Sequence, residues 1–430
     1  MKNTILKNRN FLLFLFGNNT SVFGDILLMT GFSLFVLAKT QSAMQFSMTM
    51  AIAFIPRILL SPSAGVWVDR MRKKPMVIYL DFIRGLWLLG LWGISINADL
   101  NLPIIYATLA FFAVCDTFFG PSYTTIFQRI ISKDQLSEAN AISNTVKSII
   151  SVLSPVVASF LFIRYGLALI LILDGVTFFA SALSELFLVF DDAVRKSDRH
   201  VLHEIIEGMQ MVYRDVRLKS LVINGNLTHL FLFPFIEVGV IYILLMVFKA
   251  PEFHYGVVQS SISAGAIFSG ALALYFRKRK SVAENINIGI FGMLGAVLIF
   301  ELLIFKGIRD ILFTSEYLPA AFLSLACFAM FMAFNFYGVF FGSFYQSEVS
   351  QNMLGRFTSL FIMTISISRL LGMLLYGALF ESNQLEWALI ILFIGMALKV
   401  VVHIPFIKYE KSMQGLEEGA SEFGAESSTG

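Results

Sequence analysis

Long apolar runs separated by short polar connections recur along nearly the whole chain. A helix needs about 20 predominantly apolar residues to cross the hydrocarbon core, because every backbone N–H and C=O must be bonded within the segment there. Twelve stretches meet this condition. Six of them, 11–38, 44–68, 76–96, 102–127, 141–163 and 167–190, precede a polar stretch, 191–219; six more, 220–248, 255–276, 286–305, 317–344, 357–380 and 385–407, follow it. The pattern predicts an all-α membrane protein with 12 transmembrane helices in two pseudo-symmetric six-helix halves, 1–190 and 220–407. The first stretch is expected to remain in the mature protein, since it is too long for a signal-peptide core. Within the connecting segment 191–219, Ile205, Ile206, Met209 and Val212 alternate with Glu204, Glu207, Arg214 and Arg217. That pattern fits either an amphipathic helix along the membrane surface or a solvated spacer. The tail 408–430 ends in Gly, Ser, Glu and Ala without periodicity and reads as unstructured.

Composition agrees with lipid as the main solvent. Apolar residues make up 57% of the chain and charged residues 14%, against about 25% charged in a soluble domain. Mean hydropathy is +0.76. Two cysteines give no disulfide framework, and a net charge of +3 argues against nucleic acid as a partner. The distribution of charge is more telling. Lys and Arg number twenty-two in the connections on one side of the twelve spans and five on the other. The positive-inside rule then puts both termini and the linker in the cytoplasm.

The halves also align internally. Gln128, Ser132 and Leu136 match Gln346, Ser350 and Leu354 at an offset of 218, and Cys115 matches Cys327 at 212. At that same offset Asp25 falls opposite Glu237, each near the middle of the first span of its half. A carboxylate at that depth must face a wet interior or carry a proton, so these acids are expected where the two halves meet.

The segment Gly65-Val-Trp-Val-Asp69-Arg70-Met-Arg72-Lys73-Lys74 resembles the loop signature of the major facilitator superfamily, with Arg72 standing where a second Gly is usual. Asn8 to Phe11, Gly24-Asp25, Arg57, Asp81 with Arg84, Gly120-Pro121 and Asp134-Gln135-Leu136 are similar to the bacterial macrolide-efflux and enterobactin-exporter branch. The resemblance implies the major facilitator fold, a monomer in a bacterial inner membrane, and export by alternating access. It also makes Asp69 a conformational latch, with Gly65, Arg70, Lys73, Asp81 and Arg84 as its companions. In the second half Leu274 and Tyr275 follow Gly270 where the signature has Asp and Arg, so the latch is expected to be one-sided.

Several ionisable residues fall inside the spans, and such residues are functional candidates by default. Asp25, Glu237, Arg57 and Arg369 are nearest mid-depth and are read as proton or substrate contacts, the two Arg as anion contacts or counter-ions. Asp116 and Asp174 are read either as proton sites or as acids satisfied by Thr117 and Thr177. Asp81 and Arg84, three residues apart, suggest a local pair or a link to Asp69. Glu185 and Lys399 are expected to snorkel towards the cytoplasmic surface. Pro234 should interrupt its helix near Glu237. A metal site is not expected; Asp25 with His229 is the weak alternative. The Phe- and Tyr-rich run 331–345 could line a greasy cavity or pack between helices.

No phosphate-binding Gly-x-x-x-x-Gly-Lys-Ser/Thr loop, Ser/His/Asp arrangement or His-Glu-x-x-His motif is present. The chain therefore reads as a secondary transporter and not an enzyme, needing no cofactor and driven by a proton gradient. Its partners are small molecules, protons and the lipid bilayer. An amphipathic drug such as a macrolide, or a siderophore, is the expected cargo. A divalent metal, a metallophore or a non-transporting receptor role on the same scaffold are the competing readings.

Overall fold

The computed structural model describes residues 5–98, 100–132, 135–192 and 201–427. All regular elements among them are helical. The first half comprises α1 (Arg9–Thr40), α2 (Ala43–Ala51) continuing into α3 (Phe54–Asp69), α4 (Lys73–Asn97), α5 (Leu102–Ile130) and α6 (Leu136–Leu186). The second comprises α8 (Val216–Val247), α9 (Phe253–Arg277), α10 (Val282–Glu301), the short α11 (Lys306–Leu312), α12 (Leu318–Glu348), α13 (Gln351–Glu381) and α14 (Leu385–Ser427). Between the halves, α7 (Val201–Arg214) is the amphipathic helix that the linker pattern allowed. It buries Val212 and pairs Glu207 with Arg356.

Among the described residues eleven helices are long and apolar enough to span a bilayer, one of them running from Glu138 to Leu186. That one is two spans. At Gly166 the backbone leaves the helical region for φ 72°, ψ −172°, a conformation open essentially to glycine alone. The count is therefore twelve. Nothing lies within 4 Å of a methyl group added at Gly166, so the constraint is purely conformational. Gly166→Ala is expected to destabilise the protein by about 1–3 kcal/mol, which a thermal-unfolding comparison in detergent would read as a lowered midpoint.

Side chains that bond local backbone tie the helix ends together. Asn8 caps α1 by accepting from Phe11 N at 3.2 Å and donates to Ile130 O at 3.2 Å. Asn10 donates to Val189 O at 2.6 Å and accepts from Val189 N at 3.1 Å. The polar residues before the first span thus staple its start to the ends of α5 and α6. α1 begins and α14 ends on this face, called proximal below; the opposite face is distal.

The last helix departs from the sequence reading. It continues to Ser427, so 408–427 is helical and not irregular. Glu417, Glu418, Ala420, Glu422, Ala425 and Glu426 are strong helix formers, and extending an existing helix avoids the cost of nucleation.

The halves meet tightly on the distal side. Ser42 Oγ and Met44 N donate to Glu381 at 2.9 and 3.1 Å, and Ser47 Oγ donates to Met373 O. Across the other seam Ser263 Oγ donates to Ser151 O at 2.9 Å, and Ser260 Oγ to Val152 O. Hydroxyl-to-carbonyl bonds of this kind join helices in lipid without exposing any backbone group.

Candidate functional site

α8 is unusual at mid-membrane. π-helical turns, Thr228–Leu232 and Phe235–Gly239, flank Pro234, and a third covers Ile243–Val247. Pro234 lacks an N–H and so removes one rung of the helix. The helix widens to i→i+5 bonding, Phe233 N to Thr228 O and Val240 N to Phe235 O, instead of breaking as the sequence suggested. Wide turns often mark functional positions. Here they present Phe233, Ile236 and Glu237 to a cavity between the halves.

Two adjoining chambers of about 340 and 360 Å³ occupy that junction and share Asp25, Met29, Met50 and Glu237. The first is completed by Phe54, Arg57, Phe112, Asp116 and Arg369, among others. The second adds Ser33, Phe233, Tyr255, Gln259 and Phe331. Asp25 and Glu237, set opposite one another by the repeat, line the same space. Its walls are mostly apolar and aromatic with a few charged groups, the usual constitution of a small-molecule site.

The charges are arranged in two ion-paired sets. Asp116 accepts from Arg57 at 3.2 Å and from Arg84 at 2.6 Å; Glu237 pairs with Arg369. Arg369 also stacks over Phe233 at 4.4 Å and over Phe54, from the first half, at 5.3 Å. Both mid-depth arginines thus act as counter-ions to acids of their own half. Asp25 has no ion pair among the described residues, although it lines both chambers.

Several sequence expectations need correction. Arg84 turns its guanidinium to Asp116 and not to Asp81, because α5 carries an acid at the right height and Phe112, Phe119 and Phe178 hold the head group at 5.4–5.5 Å. Asp81 instead accepts from Ser21 at 3.2 Å. Thr117 bonds Ala113 O, which leaves Asp116 to the arginines, whereas Thr177 does reach Asp174 at 3.1 Å. Neither Glu185 nor Lys399 snorkels: they are 0% and 1% exposed. Lys399 donates to Thr228 at 2.6 Å and lies over the Tyr337 ring, a pocket that holds the ammonium inside the second bundle. Asp174 is buried against α1 instead of lining the cavity.

Of the loop residues, the surroundings of Gly65 and the Asp69 side chain lie outside the described residues, as does Asp134. Arg70 caps the end of α3. Lys73 is buried, its Nζ donating to Met71 O at 2.9 Å. Sequence reasoning missed Asp192: its two oxygens accept from Lys73 N at 3.0 Å and Lys74 N at 2.9 Å, closing the N-terminus of α4. An acid at a helix start is a recognisable signal, but its partner helix is over a hundred residues away.

His229 stacks on Phe233 at 4.5 Å and lines neither chamber, so it is not brought to Asp25. Among the described residues no three His, Cys, Asp or Glu gather in a metal-binding group. Of the aromatic run in α12, Phe331 lines the cavity; Phe336, Tyr337, Phe340, Phe341 and Phe344 are packed in the core.

Twelve spans, a repeat and a charged cavity between the halves agree with the match of residues 14–373 to the family model of the Major Facilitator Superfamily. The chain belongs to that superfamily. It is a multi-pass membrane transporter. Macrolide efflux protein A of Streptococcus pyogenes is 23% identical over 373 residues, which cover 85% of this chain and 88% of that protein. Among solved structures, the nucleoside transporter NupG superposes with a TM-score of 0.67 at 15% identity over 94% of this chain and 98% of that one. A bacterial homologue of the iron transporter ferroportin, in its inward-facing state, also gives 0.67 at 15% identity, covering 92% of this chain and 98% of that one. These structural likenesses carry the fold. Superfamily members of this architecture bind their substrates within the membrane, where the two chambers lie.

Proposed function

We propose that the protein is a proton-coupled exporter of a small amphipathic molecule, of macrolide type, in the bacterial inner membrane with both termini cytoplasmic. The observation that carries this reading is the cavity in which Asp25, without an ion-pair partner among the described residues, meets the Glu237–Arg369 pair between apolar walls. Met29, Met50, Phe54, Phe233 and Phe331 offer the adaptable apolar and aromatic surface that a bulky amphipathic cargo needs. The Arg57–Asp116 and Arg369–Glu237 pairs fix the polar points of attachment. Similarity to a macrolide efflux protein supports the cargo class.

The coupling step follows from charge. A carboxyl facing a cavity alternately open to either side can load a proton from one face and release it at the other, with cargo moving the opposite way. In proteoliposomes with an imposed pH gradient, the wild-type protein is expected to accumulate a radiolabelled macrolide against its concentration gradient. Asp25→Asn is expected to abolish that accumulation while leaving equilibrium binding of the macrolide detectable. Gradient-driven accumulation by Asp25→Asn equal to wild type would remove Asp25 from the mechanism.

A further inference from the structure

Away from the cavity, a line of polar side chains runs through the body of the first helix bundle. On the second half of α6 they are Asp174, Thr177, Ser181, Ser184 and Glu185, spaced so that they share one helix face. α1 meets this face with Gly17, Ser21 and Gly24. A methyl group added at Gly17 would lie 2.5 Å from Ser184 Oγ, and one at Gly24 would lie 2.0 Å from Asp174 Oδ1. The absence of side chains at these two glycines is what lets the hydroxyls and the carboxyl reach the α1 backbone. α4 closes the line with Asp81, which accepts from Ser21 at 3.2 Å.

Asp81, Asp174 and Glu185 are each 0% exposed. Both oxygens of Glu185 lack hydrogen-bond partners among the described residues, as do Asp81 Oδ1, Asp174 Oδ2 and Ser181 Oγ. The groups facing Glu185 are Asp81 and Arg84 of α4 and Tyr123 of α5; those facing Asp174 are Asp25 of α1 and the same α4 pair. Arg84 is already engaged at 2.6 Å by Asp116. Three buried acids therefore share one committed cation. An ionised carboxylate in such a place costs several kcal/mol, whereas a protonated one gains an O–H able to donate to the next unpartnered oxygen. The line has a start and an end. Glu185 lies in the last turn of α6 at the proximal face, and Asp174 touches Gly24, the neighbour of Asp25. Eleven residues of helix separate the two acids, about 16 Å of membrane depth.

We propose that Glu185, Asp81 and Asp174, with the hydroxyls of Ser21, Ser181 and Thr177 set among them, form a proton relay from the proximal membrane face to Asp25, running through the first bundle instead of the cargo cavity. Each step passes one proton between oxygens and consumes no other reactant. Such a route lets Asp25 exchange protons with the cytoplasm while cargo blocks the cavity. The relay rests on the proton-coupled reading given above.

The test separates proton movement from cargo movement. Proteoliposomes are assayed for pH-gradient-driven accumulation of a radiolabelled macrolide and for macrolide exchange at equal pH, which needs no net proton transfer. Glu185→Gln is expected to slow driven accumulation by about a hundredfold, the scale of losing a positioned proton-transfer group, and to leave exchange unchanged. Glu185→Asp should restore part of the driven rate. Ser181→Ala, which removes one hydroxyl of the line at little cost in packing, should slow driven accumulation without altering exchange, and so keeps the proposal testable where Glu185→Gln fails to fold. Driven accumulation at the wild-type rate in Glu185→Gln, with Asp25→Asn inactive, overturns the relay and leaves the proton-coupled reading standing. A wild-type protein that exchanges macrolide but ignores the pH gradient overturns both.

Discussion

Replacing Arg84 by Met is expected to destabilise the protein more than any other single change at the charged centre. The side chain is 2% exposed and donates to Asp116 at 2.6 Å while enclosed by Phe112, Phe119 and Phe178. Met fills a similar volume and keeps the aromatic contacts, so the change isolates the charge. Asp116 would retain only Arg57, at 3.2 Å and 41% exposed to the cavity, and the buried Asp81, Asp174 and Glu185 would lose the cation facing them. Removing one partner of a fully buried ion pair costs about 3–5 kcal/mol; Asp116 is 40% exposed to the cavity and keeps Arg57, so the loss here is expected to fall below that range. The thermal midpoint in detergent should fall by many degrees. Adding Asp116→Asn to the variant should recover part of the loss, since the stranded acid is then gone. Lys at this position should be intermediate, because an ammonium restores the charge but not the flat guanidinium that lies against Phe112, Phe119 and Phe178. An unchanged midpoint in Arg84→Met would show that the acids are held by something other than this cation.

The second large effect is expected on the transport cycle. Gly256 of α9 lies where the two halves touch on the distal side; an added methyl group would be 2.7 Å from Pro155 O and 2.9 Å from Val156 Cα. These are backbone atoms of α6, so a side chain cannot be accommodated by rotating a neighbour. Gly256→Leu must part the helices. Overpacking of this kind costs about 1–3 kcal/mol in the closed arrangement alone, which moves the balance between closed and open distal mouths by roughly 5- to 150-fold. Macrolide transport should drop accordingly. A thiol probe makes the cause visible. Cys115 and Cys327 are both buried, which favours a low labelling background, and Ser33→Cys in the second chamber should become reactive from the distal side when combined with Gly256→Leu. Loss of transport with no gain in labelling would mean that the distal seam is not the moving part.

The candidate site was only partly legible in the sequence. The repeat offset placed Asp25 across from Glu237, and the structure puts both on one cavity wall, because equivalent residues of pseudo-symmetric halves face a common axis. Ion-pair partners were less accessible. Asp81 and Arg84 satisfy the local spacing for a pair, yet Arg84 prefers Asp116, thirty-two residues away, whose height on α5 is fixed by helix packing. Distance from a span end places Glu185 and Lys399 at the surface. That measure ignores which face of the helix they occupy, and both face their own bundle.

The sequence by itself determined the twelve spans, the division into halves and the asymmetry of charge across the membrane, since these follow from transfer free energies summed residue by residue along the chain. Tertiary structure alone decided which buried charges pair, that Pro234 widens its helix instead of breaking it, and that the polar face of α6 is sealed against two glycines of α1. Those outcomes depend on the height and rotation of one helix against another. Packing between distant segments sets both, and no local pattern encodes it.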